Sequence, residues 1–376
     1  MSGFSIYEVS NKKELIAFIK FPISLYKGVS EYVPPILSFE LSTLSKQKNP
    51  AFDHCEARYW VVKRKNEIVG RIAGILLNAE AEEKKHIRFG WVDFIDDYEV
   101  STLLFDAVIK WAKTKQLEKI HGPLGFTDLD FEGALVEGFD QMATQATIYN
   151  FPYYVDHYNK LGFTKACDWL EYRFNPPTEV DQRLERTAKL VAKRSGFEAK
   201  VFKKSKDILK YTNQVFDILN EAYGHLYGYY PLSQRQIDYF TKMYFGFVKK
   251  EFVSIIVDEN DEVAAFALSL PSLSTAFQKA KGALYPFGFI PLLKAMKNND
   301  IVDMFLIGTR PKFQKQGASA LLFHQLNLAY VNQKVKRVHT GPMLEENLNV
   351  INLWSDYIKQ EGSATLRRRC YIKTIK

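Results

Sequence analysis

Met304-Phe305-Leu306-Ile307-Gly308-Thr309-Arg310-Pro311-Lys312-Phe313-Gln314-Lys315-Gln316-Gly317-Ala318-Ser319 is the most informative run in this 376-residue sequence. Four apolar residues read as a strand. A loop with Gly and small residues follows, and the apolar pattern of a helix begins at Ser319. A loop that opens a helix presents free backbone N–H groups and the positive end of the helix dipole. Gly317 brings the backbone close to a ligand, Ala318 and Ser319 keep that approach clear, and Arg310 and Lys315 add positive charge. These are the ingredients of a pyrophosphate cradle.

Working outward, Phe252 to Leu270 reads as a β-hairpin turning at Glu259-Asn260-Asp261. An equivalent hairpin, Arg58 to Leu77, turns at Lys65-Asn66. A short apolar strand follows each hairpin, Phe89 to Ile95 in the first half and Met304 to Ile307 in the second. The helices after them share residues directly. Ser101-Thr102-Leu103-Leu104-Phe105 matches Ser319-Ala320-Leu321-Leu322-Phe323 at four of five positions, at an offset of 218. The same offset pairs Lys119-Ile120-His121 with Arg337-Val338-His339. Gly122-Pro123 and Gly341-Pro342 follow. The shared order implies an internal repeat. Pro176-Pro177 ends the first half, because adjacent prolines stop a helix and disfavour a central strand. A linker helix is expected over Val180 to Arg194. The expected domains are residues 1–178, a linker at 179–195, and residues 196–376.

Gln314-x-x-Gly317-x-Ser319 resembles the pyrophosphate loop of the GNAT acetyltransferases, Q/R-x-x-G-x-G/A, with Ser in place of the last small residue. The resemblance implies an α/β fold with a mixed sheet: two tandem GNAT-like acyl-CoA N-acyltransferase domains, the N-terminal one degenerate. It implies acetyl-CoA or another acyl-CoA as co-substrate. The CoA would be held by Leu306, Ile307, Gly308, Arg310, Gln314, Lys315, Gln316, Gly317, Ala318, Ser319 and Asn347. The first half lacks the loop. Phe94 to Ser101 spans seven positions where Leu306 to Ser319 spans thirteen, and Asp96-Asp97-Tyr98-Glu99 would repel a pyrophosphate.

The family also carries a helix similar to N-x-x-A-x-x-L-Y-x-x-x-G-F, whose Tyr protonates the departing thiolate. Tyr158-Asn159-Lys160-Leu161-Gly162-Phe163 fits its end in the first half, with Asn150 eight residues earlier. In the second half Asn347 fits its beginning, but Trp354 occupies the tyrosine position and indole does not serve as an acid. Tyr357, one turn on, is the alternative acid. Glu345 and Glu346 are candidate bases for deprotonating an ammonium acceptor. His339 reads as a strand histidine with a structural role. Asn220 to Tyr230, with four tyrosines, is a candidate acceptor wall. The acidic run Gly125 to Asp140 reads either as a solvated insertion or as a lure for a cationic amine.

Composition bounds the rest. Hydrophobic residues make up 47% and charged residues 25%, which is ordinary for a globular chain. The net charge of +8 is dispersed rather than striped, which argues against a nucleic-acid binder. Cys55, Cys167 and Cys370 have no metal-ligand spacing. No metal is expected, and a reducing, cytoplasmic setting is. The apolar stretch Gly282 to Met296 is interrupted by prolines and is too short to span a bilayer, so no membrane is expected. The expected partner is an amine-bearing small molecule or peptide. The rivals are an aminoacyl-tRNA-dependent transferase and a non-catalytic ligand-binding protein of the same fold.

Overall fold

The computed structural model describes residues 3–375, without the side chains of Asn349 and Leu353. The chain forms two compact units that are discontinuous in sequence. Unit 1 comprises residues 1–170, 273–293 and 366–376; unit 2 comprises 171–272 and 294–365.

Unit 1 begins with β1 (Phe4–Glu8), α1 (Lys12–Leu25) and α2 (Leu37–Thr43). The first hairpin follows as β2 (Cys55–Arg64) and β3 (Glu67–Leu77). Next come α3 (Asn78–Lys84), β4 (His86–Phe94), α4 (Tyr98–Thr114), β5 (Lys119–Gly122), β6 (Ala134–Glu137), α5 (Tyr153–Lys160) and β7 (Thr164–Phe174). The last four residues of β7 belong to unit 2.

Unit 2 continues with α6 (Gln182–Ser195), a helix expected over Val180 to Arg194 but lying within this unit, then β8 (Glu198–Ala199), α7 (Thr212–Tyr223) and α8 (Gln234–Tyr244). The second hairpin is β9 (Val253–Val257) and β10 (Val263–Pro271). The chain then returns to unit 1 for α9 (Ser274–Ala280) and most of α10 (Phe289–Lys297) before β11 (Ile301–Thr309) of unit 2. The rest of unit 2 is α11 (Ala318–Asn332), β12 (Arg337–Thr340), β13 (Met343–Leu344) and α12 (Leu348–Ile351), and β14 (Ala364–Thr374) returns to unit 1 at Leu366.

The two units repeat one plan. In unit 1 the strand order is β1-β2-β3-β4-β5-β14, with β4 and β5 parallel. In unit 2 it is β7-β12-β11-β10-β9-β8, with β11 and β12 parallel. Each sheet is closed on one side by a strand distant in sequence, β14 on β5 and β7 on β12. This exchange of closing strands is invisible to a linear division of the chain.

Packing explains the local sequence. Helix α4 buries Val100, Leu104, Val108, Trp111 and Ala112, spaced to face one side. Gly70 of β3 is required beneath it, since a Cβ there would stand 2.7 Å from Val100 and 2.9 Å from Leu104. At the base of the β4–β5 pair lies a buried ion cluster. Arg88 Nε is 2.6 Å from Glu80 Oε2, and His121 Nε2 lies 3.2 Å from the same oxygen. Burial pushes the Glu80 carboxyl up, but the charge of Arg88 and the bond and charge of His121 outweigh it and hold it well below the usual range. Glu80, His86 and His121 bring three ligand-type atoms within 4.8 Å of one another. The Arg88 guanidinium already occupies the shared carboxylate, so the cluster is accounted for as an ion network.

The acidic run 125–140 is not a solvated insertion. Glu132 is buried, and Asp130 Oδ2 accepts the Thr127 N–H at 3.0 Å. Among the described residues no helix is long and apolar enough to cross a membrane. Removing one member of the buried cluster leaves an uncompensated charge. Arg88→Ala is expected to lower unfolding free energy by about 3–5 kcal/mol. Lys115→Ala, which breaks the exposed pair with Glu56, is expected to change it by less than about 1 kcal/mol. Urea denaturation distinguishes the two.

Candidate active site

In both units the parallel strands part soon after they pair. Strands β4 and β5 pair from His86–Lys119 to Arg88–His121, and β11 and β12 pair from Ile301–Arg337 to Met304–Thr340. Beyond those points β4 and β11 each carry a bulge against the hairpin strand beside them. In β4 Trp91 takes a positive φ of 43° there. The register sets His121 and His339 at equivalent strand positions, as their shared offset implies. His339 Nδ1 lies 3.0 Å from Asp303 Oδ1, a strand-to-strand structural contact.

The gap in unit 1 is a narrow cavity of about 50 Å³. Trp91, Val92 and Asp93 of β4 form one wall, and Asn150, Tyr154 and Tyr158 another. Most of the lining is apolar, but polar groups converge on it. Arg71 Nε and Asp93 Oδ2 are 2.7 Å apart, and Tyr26 Oη donates to Asp93 Oδ1 at 2.8 Å. Tyr26 and Tyr154 hydroxyls are 2.9 Å apart, and Tyr154 Oη accepts the Phe94 N–H. Two buried hydroxyls on the lining, those of Tyr32 and Tyr158, have no hydrogen-bond partner. Burial raises both well above the usual phenol range, so they stay protonated.

Glu40 completes this set. It is buried, and its Oε2 accepts the Trp91 Nε1–H at 2.7 Å. Burial pushes its carboxyl up to about 7; the Arg71 charge and the Trp91 bond oppose that shift only in part. A mostly apolar pocket with a few convergent polar groups and a carboxyl titrating near neutrality has the makings of a catalytic site. Tyr158 stacks on Tyr371 with ring centroids 4.4 Å apart, which fixes its ring in the cavity wall. Asn150 clamps β6, accepting the Leu135 N–H at 2.7 Å and donating to its carbonyl at 3.1 Å.

Unit 2 holds the residues singled out in sequence. Gln314, Lys315 and Gln316 are exposed on a short 3-10 turn, Pro311–Gln316. Gly317, with φ +89°, joins that turn to α11, and Ala318 and Ser319 open the helix. The Ser319 and Thr309 hydroxyls are 3.1 Å apart. Gly317 also has a structural duty. A Cβ there would stand 2.7 Å from Val191 of α6, so its bareness admits that helix. Arg310 is committed elsewhere. It pairs with Glu221 and Glu262 and donates to the Val263 carbonyl. Lys315, exposed on the turn, and the backbone at the start of α11 are the parts of the loop not committed in this way.

Leu306, Ile307 and Gly308 lie on β11 beyond its last pairing with β12. The Ile307 carbonyl accepts the Tyr223 hydroxyl at 2.8 Å, so the tyrosine-rich stretch 220–230 is tied to this strand. Gly308 is required for packing, since a Cβ would meet Phe266 at 2.9 Å. Glu345 and Glu346 follow β13, the latter exposed, and Asn347 precedes α12. The helix expected there is only four residues long, followed by a 3-10 turn at Asn352–Trp354. Trp354 fills the core against Phe174 and Phe323. Tyr357 packs on Phe174 at 4.8 Å, and burial raises its pKa.

The structure thus separates two sets of features. The phosphate-loop sequence lies in unit 2, and the carboxyl, the tyrosines and the cavity lie in unit 1. Asp96 and Asp97 of the loopless half have structural partners: Asp96 lies 3.0 Å from His157, and Asp97 caps α4. Sequence reading missed Glu40, Arg71, Asp93 and Tyr32. A signal was present for two of them, because Arg71 and Asp93 interrupt otherwise apolar strands and buried charges in such runs are rare.

No protein-family model matches the chain. Protein YghO of Escherichia coli (strain K12) is 28% identical over 381 residues, covering 97% of this chain and 94% of that protein. The bacterial ceramide synthase of Caulobacter vibrioides (strain NA1000 / CB15N) is 25% identical over 329 residues, covering 85% and 84%. Among solved structures, a tandem GNAT protein from the clavulanic acid biosynthesis pathway superposes with a TM-score of 0.58. It is 12% identical, and the match covers 99% of each chain. A GCN5-related glucosamine N-acetyltransferase region of a fungal multi-domain β-N-acetylglucosaminidase also gives 0.58 at 13% identity, covering 98% of this chain and 38% of that one. Two units with one strand plan, each splayed at its parallel pair, together with these superpositions, make this chain a protein of the GNAT fold, carrying that fold twice in tandem.

Proposed function

We propose that the protein is an N-acyltransferase that moves an acyl group from acyl-CoA to the amine of an acceptor with an apolar body. The observation that carries this is Glu40, a carboxyl raised to about 7 on the wall of a mostly apolar cavity at the strand splay of unit 1. The amine nitrogen attacks the thioester carbon, the C–S bond breaks, and the CoA thiolate leaves. Glu40 takes the proton released from the attacking nitrogen. Tyr158 and Tyr32 offer protonated hydroxyls with no hydrogen-bond partner among the described residues. They suit the acceptor or the developing oxyanion. One relative is named a ceramide synthase, and ceramide is a long-chain amine carrying an acyl group in amide linkage. An acceptor of that chemistry suits the apolar wall that Trp91, Val92 and Phe131 give this cavity.

The CoA phosphates are assigned to Lys315 and the backbone of Gly317, Ala318 and Ser319. Glu345, Glu346 and Tyr357 keep the roles of base and acid only if Glu40 fails as the base.

Acetyl-CoA or a longer acyl-CoA at about 100 times its Kd is expected to stabilise the native protein by about 2.7 kcal/mol. The measurement is a thermal melt. No shift with any acyl-CoA at millimolar concentration contradicts the assignment. Lys315→Glu is expected to weaken the shift, and Glu40→Gln to leave it unchanged.

A base must be ionised to accept a proton. Turnover is therefore expected to rise as pH passes about 7 and to level off above it, with Glu40→Gln lowering the plateau about 100-fold or more. An unaltered pH profile in Glu40→Gln removes that residue from the mechanism. Gly317→Ala is expected to destabilise the fold by about 1–3 kcal/mol through its positive φ and Val191. Adding Val191→Ala is expected to restore only the packing share, measured as a double-mutant cycle.

A further inference from the structure

Large apolar side chains exposed singly are ordinary, but a contiguous group needs an occupant. Among the described residues ten large hydrophobics are exposed, and five of them fall within residues 285–293. Tyr285 is 82% exposed, Phe287 72% and Leu293 63%, with Phe289 and Ile290 about 40%. They sit on α10 and the turn before it. That turn is a defined structure: Phe289 N–H donates to the Leu284 carbonyl and Ile290 N–H to that of Phe287, while Tyr285 and Phe289 rings are 6.2 Å apart.

The charge around this group has one sign. Exposed Lys279 and Lys281 precede it, and exposed Lys294 and Lys297 lie in the last turn of α10. Between Glu262 and Asp300 the sequence contains no acidic residue. An amphipathic segment with aromatic residues on its apolar side and lysines at its margins matches the lipid–water boundary of an anionic bilayer. Phospholipid phosphates attract the lysines, and the acyl region takes the aromatic and leucine side chains. A protein partner would need carboxylates to match the lysines and a hollow to receive five projecting side chains. A bilayer supplies both without further specificity.

The segment is also rooted at the cavity within unit 1. The Leu37 N–H donates to the Gly282 carbonyl at 2.8 Å, and Gln278 Nε2 donates to the Ser30 and Tyr32 carbonyls. Phe277 lines the cavity with Tyr32 and Pro35. We infer that residues 279–297 form a peripheral docking surface for anionic phospholipid bilayers. The protein lies on such a surface through Tyr285, Phe287, Phe289, Ile290 and Leu293, held by the flanking lysines.

The inference stands apart from acyl transfer, and its test needs no acyl donor. The full chain is mixed with vesicles of phosphatidylcholine alone or with phosphatidylglycerol, and flotation is measured. The wild type is expected to float with phosphatidylglycerol vesicles and to be released as salt rises. Phe287→Ser with Leu293→Ser is expected to weaken binding at least tenfold with an unchanged melting temperature, since both side chains are exposed. Lys294→Glu with Lys297→Glu is expected to abolish the preference for phosphatidylglycerol.

Wild-type protein that stays in solution with both vesicle types overturns the inference. So does equal flotation of wild type and both variants. A dimer dispersed by the serine substitutions, with no vesicle binding, also overturns it and assigns the face to a second copy. Loss of vesicle binding leaves the acyl-CoA melt unaffected, so each conclusion fails separately.

Discussion

Two parallel strands that pair for a few residues and then diverge leave backbone groups facing a gap. Buried N–H and C=O groups do not go unpaired without a cost comparable to a lost hydrogen bond. Much of this molecule follows from how that need is met. In unit 1, Tyr154 accepts the Phe94 N–H and Tyr153 donates to the Phe94 carbonyl at 2.5 Å. The Leu124 N–H reaches back to the Phe89 carbonyl. In unit 2, Tyr223 donates to the Ile307 carbonyl, and the Gly341 N–H reaches the Met304 carbonyl. Tyrosine hydroxyls stand in for the missing neighbour strand in both units. They satisfy the backbone while leaving the gap lined with aromatic surface.

That solution constrains what else the gap holds. Arg71 and Asp93 enter it from adjacent strands and neutralise each other at 2.7 Å. Glu40, arriving from α2, has no cation of its own at that distance and takes its bond from Trp91. Burial raises its pKa, and this unequal division of partners opposes the rise only in part. Unit 2 fills its corresponding region differently. Trp354 stands where Tyr158 stands in unit 1, and it packs among Phe174, Phe323 and Tyr357. The two units share a plan of strands, yet their aromatic residues have been put to different uses.

The elements that obey short-range periodicity were legible in the sequence. Both hairpins, the strand-to-helix passages, the linker helix and the 218-residue offset can be read from apolar spacing and turn residues. The loop at Gln314 to Ser319 was found as sequence, but its environment was not. Val191 beside Gly317 and Glu221 beside Arg310 are long-range neighbours with no local signature. The acidic run near Asp130 looked solvated because composition cannot show that Gly125 and Gly133 let it fold inward. A Cβ on Gly125 would meet Asp130, and one on Gly133 would meet Arg368 at 2.8 Å. Glu40, Tyr32 and Tyr158 come from three separate elements, and no spacing rule joins them.

The exchange of closing strands also fixes the order in which the protein is able to form. Strand β14, Ala364–Thr374, pairs with β5 along Tyr371–Gly122 to Thr374–Lys119. The same strand presents Arg368 and Arg369, the latter 2.8 Å from the buried Asp168, and Tyr371 beneath Tyr158. The sheet and cavity wall of unit 1 are therefore complete only once β14 has joined β5. Contacts of such sequence separation slow folding. They also tie the cavity of unit 1 to β14: a change at Tyr371 is felt at Tyr158, far earlier in the chain.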